Sequence, residues 1–171
     1  MKLEKYLNKF ITIEFSDKKK SVSGFLLDYS DEWILLQSNV VDFVIDGYTI
    51  IRNKKIEGIY REEDEIFKEN VIKLKGILPK IDKKVPLENT VALFKFLNDE
   101  YGIFLFSKKS GSAVYPGRLL AMDESQIAIE WIDLKGKWTE NRAFKLDKIR
   151  MIEFNSDYLI SLKLASENLY N

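Results

Sequence analysis

Apolar and polar residues alternate along this chain in short, closely spaced blocks. Ile11, Ile13 and Phe15 alternate with Thr12 and Glu14, the period-two pattern of a half-buried strand. Two denser apolar runs follow, Gly24 to Tyr29 and Trp33 to Leu36, hinged on the polar turn Ser30 to Glu32. Lys18 to Lys20 predicts a polar hairpin tip. Asp46 and Gly47 predict a further turn, leading into the strand Tyr48 to Ile51. Short strands at such spacing predict a small barrel or sandwich.

The pattern then recurs. Gly24-Phe-Leu-Leu matches Gly117-Arg-Leu-Leu, 93 residues later. At the same offset Ile34 falls on Ile127, Leu36 on Ile129, Lys55 on Lys148, Ile56 on Ile149 and Ile59 on Ile152, with no gap from Gly24 to Tyr60. Upstream, Tyr6 to Asn8 resembles Phe96 to Asn98, and the strand Phe10 to Phe15 resembles Tyr101 to Phe106. Ser107 to Ser112 is the longer counterpart of the Lys18 tip. An internal repeat is a known route to a second domain.

Each half opens on a predicted short helix. In the second, Leu87, Val91, Phe94, Leu97 and Tyr101 fall on one face, and Gly102 suits the stop. In the first, the matching face is Leu3, Tyr6, Leu7 and Phe10. Between the halves, Arg61 to Glu65 is a charge run, Phe67, Val71, Leu74 and Leu78 form one helical stripe, and Pro79 and Pro86 frame a linker. The tail suits a helix capped by Asn155 or Ser156, with Tyr158, Leu162, Ala165 and Leu169 on one face, while Ile160, Leu162 and Leu164 also suit a strand; the helix is the favoured of the two. The expected organisation is a first barrel over 1–61, a linker with a helix over 62–86, a second barrel over 87–154, and a helical C-terminal segment over 155–171. The fold class is therefore mainly β with flanking helices, in two tandem small barrels.

Composition narrows the chemistry. Lys+Arg and Asp+Glu are both 27, so the formal net charge is zero. That lowers the expectation of a dedicated nucleic-acid binder, which leans on phosphate neutralisation. Cysteine and histidine are both absent, which removes disulfides, thiolate metal sites and the commonest general base and zinc ligand. MKLEKYLNKF holds no apolar run of signal-peptide length, and no segment approaches the roughly 20 apolar residues of a membrane span. A soluble cytoplasmic protein is expected. No glycine-rich phosphate loop, nucleophile elbow or metal-ligand spacing is present. Adjacent Ser107 and Lys108 on a strand point to opposite faces. Neither an enzyme nor a cofactor is expected.

The order of a helix followed by five short strands, and the residues themselves, resemble the Sm/Lsm family of SH3-like barrels. Gly24, Leu26, the turn Ser30 to Glu32 and Ile34 to Leu36 are similar to its first motif. Gly117, Leu119, Asp123 and Ile127 to Ile129 repeat it, with Asp123 at the family's turn aspartate. Ile50 to Ile59 is similar to its second motif, and Ala143 to Ile152 is a looser copy. The resemblance implies two Sm-like barrels, over about Met1 to Tyr60 and Glu88 to Phe154. It also implies incompletely closed sheets whose edges seek partners.

The same resemblance locates what is missing. RNA-binding members clasp a base with a turn asparagine and an Arg-Gly pair. Here the asparagine position is Ile34 and Ile127, and the pair is Arg52-Asn53 and Lys145-Leu146. An apolar side chain reads no base edge. The candidate nucleic-acid or ligand contacts are Arg52, Asn53, Lys54, Lys55 and Lys145, against the plainer reading of solvated turns. Asp28, Asp31 and Glu32 read as a solvated acidic turn rather than a cation site. The leading expectation is a non-catalytic binding or scaffold module, with RNA binding as its disfavoured alternative. Trp33, Trp131, Trp138 and the doubly apolar Ile103 to Phe106 favour self-association, most simply as a dimer, or a protein partner.

Overall fold

A computed structural model of the chain describes residues 2–109 and 113–170. The hairpin-tip residues Ser110 to Ser112 of the sequence reading lie outside the described residues. The chain forms two compact units, Met1–Lys84 and Val85–Asn171. The first contains β1 (Phe10–Phe15), β2 (Val22–Tyr29), β3 (Trp33–Val41), β4 (Val44–Arg52), β5 (Ile56–Tyr60) and α1 (Glu63–Leu74). The second contains α2 (Thr90–Tyr101), β6 (Phe104–Lys108), β7 (Val114–Met122), β8 (Gln126–Ile132), β9 (Trp138–Lys145), β10 (Ile149–Phe154) and α3 (Asp157–Asn168).

Within the first unit the strands run in the order β5-β1-β2-β3-β4, and within the second β10-β6-β7-β8-β9, all antiparallel. The two orders are the same when strands are counted from the start of each unit. The registers agree residue by residue. Ile11 faces Gly24, and Phe104 faces Gly117. Tyr29 faces Ile34, and Met122 faces Ile127. Ile13 faces Ile59, and Phe106 faces Ile152. Each second pair lies 93 residues beyond the first. Even the bulges recur, between Leu26 and Asp28 and again between Leu119 and Ala121. This corrects the strand match read from sequence: β1 corresponds to the run starting at Ile103, not Tyr101, because the glycine partner fixes the register.

Neither ladder closes into a barrel. Among the described residues no pairing joins β4 to β5 or β9 to β10. The architecture shown is mainly β, with open five-stranded ladders rather than two closed barrels. No helix among the described residues is long and apolar enough to cross a membrane.

Several local expectations are corrected. The helix expected at the start of the first unit is a single 3-10 turn, Glu4–Tyr6, and Phe10 already belongs to β1. Asp46 and Gly47 are not a hairpin turn. They form a bulge inside β4, where the register slips between Gln37 and Asn39 and Gly47 takes φ 63. The chain reverses instead at Asp42, φ 42, where a short polar side chain tolerates the left-handed region. In α2 the expected face holds for Phe94 and Leu97, and Gly102 ends the helix at φ 74. Asn89 caps its start, its side-chain oxygen accepting from the Ala92 N–H at 2.8 Å. In α3, Ser156 caps, but the buried residues are Leu159 and Leu162, while Tyr158 and Leu169 are exposed.

The two features that favoured self-association have internal uses. Trp33 is fully buried, and Trp131 and Trp138 are half-buried. Ile103, just before β6, and Leu105 on it pack with Leu159 and Leu162 of α3 and with Ile132. Phe104 and Phe106, on the opposite face, meet Phe94 of α2 at ring distances of 5.3 and 6.5 Å. Helices of the same unit therefore cover both faces of the doubly apolar strand.

In the first unit α1 docks by an unexpected face. Ile72 enters the Phe10–Phe25 cluster, and Glu69 is buried beside it. One Glu69 oxygen accepts from the Phe10 N–H at 2.8 Å and from Arg61 at 2.5 Å, and the other from Lys73 at 2.6 Å. Thr12 donates to Glu65 at 2.9 Å. The apolar stripe read from sequence points the other way: Phe67 and Leu74 are exposed.

Candidate functional site

The β2–β3 turn and the β4–β5 turn of the first unit are bound to each other. Ser30 Oγ accepts from the N–H groups of Glu32 and Trp33 at 3.2 and 3.0 Å. The Asn53 N–H donates to the Glu32 carbonyl at 2.8 Å, and its side-chain amide donates to the Ser30 carbonyl at 2.7 Å. Arg52 stacks over the Trp33 ring at 3.8 Å and donates to Glu32 at 2.9 Å. Its side chain is 14% exposed. Arg52 and Asn53 thus serve as ties within the fold.

The second unit builds the same joint from other atoms. Asp123, 93 residues after Ser30, accepts from the Ser125 and Gln126 N–H groups at 2.7 and 2.9 Å. Hydrogen bonds from the Ser125 hydroxyl and these amides hold its carboxyl below the ordinary carboxylate value. The Leu146 N–H reaches the Ser125 carbonyl at 2.9 Å, repeating the Asn53 bond. Lys145 stands exposed on β9 opposite Gln126, next to the 3-10 turn Leu146–Lys148.

Lys54 and Lys55 are exposed. The Lys55 carbonyl accepts from the Ser16 N–H at 2.9 Å, which sets the β4–β5 turn against the Lys18–Lys20 tip. A cleft of about 550 Å³ at this tip is lined by Lys18, Lys19 and Lys20, together with Glu14 and Glu57. Its lysines are thus partly offset by carboxylates, the sign pattern of a solvated strand end rather than of a phosphate cradle. Ile34 and Ile127 are fully buried, so neither meets a ligand. Among the described residues no cluster of carboxylates has a metal-holding arrangement, and Glu32 of the acidic turn is paired with Arg52.

A different surface of the second unit carries the more distinctive chemistry. Tyr115 on β7, Trp131 on β8 and Phe144 on β9 are half-buried. They contact one another, with Tyr115–Phe144 centroids at 4.7 Å and Tyr115–Trp131 at 5.6 Å. Phe106 packs beneath them, 5.0 Å from Phe144. Cations flank the rings: Arg142 lies over Trp131 at 3.9 Å, and the Lys108 ammonium is 5.2 and 5.1 Å from Tyr115 and Phe144. Arg142 is itself held by Glu140 at 2.5 Å. The register-equivalent positions of the first unit are Val22, Ser38, Thr49 and Ile51, with Ser38 and Thr49 joined by a 2.8 Å hydrogen bond. Sequence reasoning noted Trp131 and Lys108 separately but missed Tyr115, Arg142 and Phe144. Alignment of the halves at 93 residues carries the signal, because aromatic and cationic residues there replace small or aliphatic ones.

Comparison with known proteins adds no relative: no family model, no curated protein and no solved structure matches this chain.

Proposed function

We propose that this chain is a non-catalytic protein-binding or scaffold module built on two Sm-like ladders, with the aromatic face of the second unit as its working surface. The Sm-like assignment rests on the shared strand order, the bend glycines and the turn joint that both units repeat. One observation carries the binding assignment. The cross-strand pair closed by Ser38 and Thr49 in the first unit holds Trp131 and Arg142 in the second, beside half-exposed Tyr115 and Phe144. Tyrosine, tryptophan and arginine are the residues that dominate protein–protein hot spots. The balance of charge favours a protein over a polyanion. Arg142 is paired with Glu140, and the chain as a whole is neutral.

The second reading, single-stranded RNA, is favoured by the same rings, on which bases stack. It places RNA on Tyr115 and Trp131 rather than on Arg52 and Asn53, which are engaged in the turn joint. Two measurements separate the readings. A photo-crosslinker at Glu140, exposed and in contact with Arg142, captures a protein, and Trp131→Ala abolishes the capture. A fluorescent single-stranded RNA shows no binding at about 150 mM salt. Salt-sensitive RNA binding lost in Tyr115→Ala, with no crosslinked protein, overturns the first reading in favour of the second. RNA binding lost in Arg52→Ala and kept in Tyr115→Ala overturns both placements.

A further inference from the structure

We propose that α1 carries a self-association surface, on which it packs antiparallel against α1 of a second copy of this chain. The helix presents its apolar positions outward. Phe67, Val71 and Leu74 follow one another at spacings of four and three, which places them on one face. Phe67 is 58% and Leu74 87% exposed. The docked face, meanwhile, is held by Glu65 and Glu69 as well as Ile72. An amphipathic helix normally buries its apolar stripe and wets its polar one. Here two carboxylates fix the opposite orientation, which leaves the apolar seam for another partner.

The patch extends beyond the helix. Phe43, in the β3–β4 hairpin, meets Phe67 edge-on at 5.9 Å, and Val40, Val41 and Val44 of the same hairpin are each more than 40% exposed. Contiguous apolar surface of this kind marks an interaction site rather than the scattered exposure of a monomer.

Charge selects the occupant and its direction. The first turn of α1 is acidic, with Glu63 and Asp64, and its end is basic: Lys73 is paired with Glu69, and Lys75, whose ammonium donates to the Phe43 carbonyl at 2.9 Å, is the cation beside the seam. An antiparallel copy sets each acidic end against a basic end. A parallel copy sets like charges side by side. On a helical projection of 100° per residue, Asp64 and Lys75 flank the seam on the same side, so a two-fold axis near Val71 brings Asp64 of one chain beside Lys75 of the other. The helix is 12 residues long, about 18 Å, enough for Phe67 of one copy to meet Leu74 of the next.

Sedimentation equilibrium on the full chain at tens of micromolar tests this. The expected mass is about twice the chain's 20.0 kDa. Leu74→Glu and Phe67→Glu, both at exposed positions, return it to the monomer mass while circular dichroism and melting stay near those of the parent. Asp64→Lys and Lys75→Asp each weaken the dimer by at least about tenfold, and the double exchange restores most of that loss. A monomeric parent chain overturns the proposal. So does a dimer that survives Leu74→Glu, or one whose double charge exchange is no better than the worse single variant.

Discussion

Arg142 lies over the Trp131 ring at the cross-strand pair where, 93 residues earlier, Ser38 and Thr49 share a hydrogen bond. The backbone frame is the same in the two units, and the side chains filling it differ in kind. In the first unit the pair is buried and closed on itself. In the second it is half-exposed and ends in a ring and a cation. A duplicated frame with one copy closed and one copy open is the physical basis for assigning binding to the second unit.

The two pairs should respond differently to alanine. A double-mutant cycle on Trp131 and Arg142 should give a coupling of about 0.5–1 kcal/mol, the scale of an exposed cation–π contact. Ser38→Ala should cost about 1–3 kcal/mol alone, because the buried Thr49 hydroxyl loses its partner. Urea unfolding of the single and double variants measures both. Equal coupling in the two units would contradict the contrast drawn between them.

The bend glycines should be irreplaceable for the same reason in each unit. A Cβ on Gly24 would lie 2.1 Å from the Gln37 carbonyl oxygen, and one on Gly117 2.5 Å from that of Glu130, the register-equivalent atom. Both neighbours are backbone and cannot swing away. Gly24→Ala and Gly117→Ala should each destabilise by about 2–4 kcal/mol, Gly24 more, as overpacking against fixed atoms does. Thermal melting of the two variants checks the magnitude and the order.

Much of the frame was legible in the sequence. Gly24, Gly117, Ile34, Ile127, Ile129, Ile149 and Ile152 sit at buried, register-defining positions, where a one-residue slip would expose the core, and Ile56 and Ile59 are half-buried. What escaped was whatever tertiary context decides. Asp46 and Gly47 carry turn chemistry, yet a β-bulge has the same preference for a left-handed glycine. The α1 stripe holds for Phe67, Val71 and Leu74, whereas Leu78 lies beyond the helix end, and pattern alone did not say which way the stripe would face. Its orientation is set by Glu69 reaching the Phe10 amide, a contact 59 residues away in sequence. Of the candidate site residues, Arg52 and Asn53 bond to Glu32 and Ser30; the pattern gave that turn, but not its place beside the β4–β5 turn.

Ile34 and Ile127 stand where the proposed Sm-like reading would require an RNA-gripping asparagine. Both are fully buried. Ile34→Asn and Ile127→Asn should each cost about 2–4 kcal/mol, since each buries an amide without a partner and loses apolar contact. Neither should raise affinity for single-stranded RNA. Differential scanning calorimetry beside an RNA titration reads both. An unchanged melting temperature would place these side chains in contact with solvent.

The last prediction concerns acid and the seating of α1. Burial pushes the Glu69 carboxyl upward, but hydrogen bonds from Lys73, the Phe10 amide and Arg61 outweigh it and hold the group below its ordinary 4.5. A carboxylate depressed on folding stabilises the native state above its unfolded value, and that stability drains away as pH falls through the lower folded value. The loss should therefore begin just below pH 4.5 and continue downward. Glu69→Gln removes this contribution at every pH. Its amide also turns a donor toward a site built entirely from donors, so one of its three partners is left unmatched. The variant should lose about 2 kcal/mol at neutral pH and show a flatter decline in acid than the parent. Because Glu69 seats α1, proteolysis within 63–74 should accelerate in the same variant. A parallel acid decline in the two proteins would mean that Glu69 is already protonated in the native state, and that another contact orients the helix.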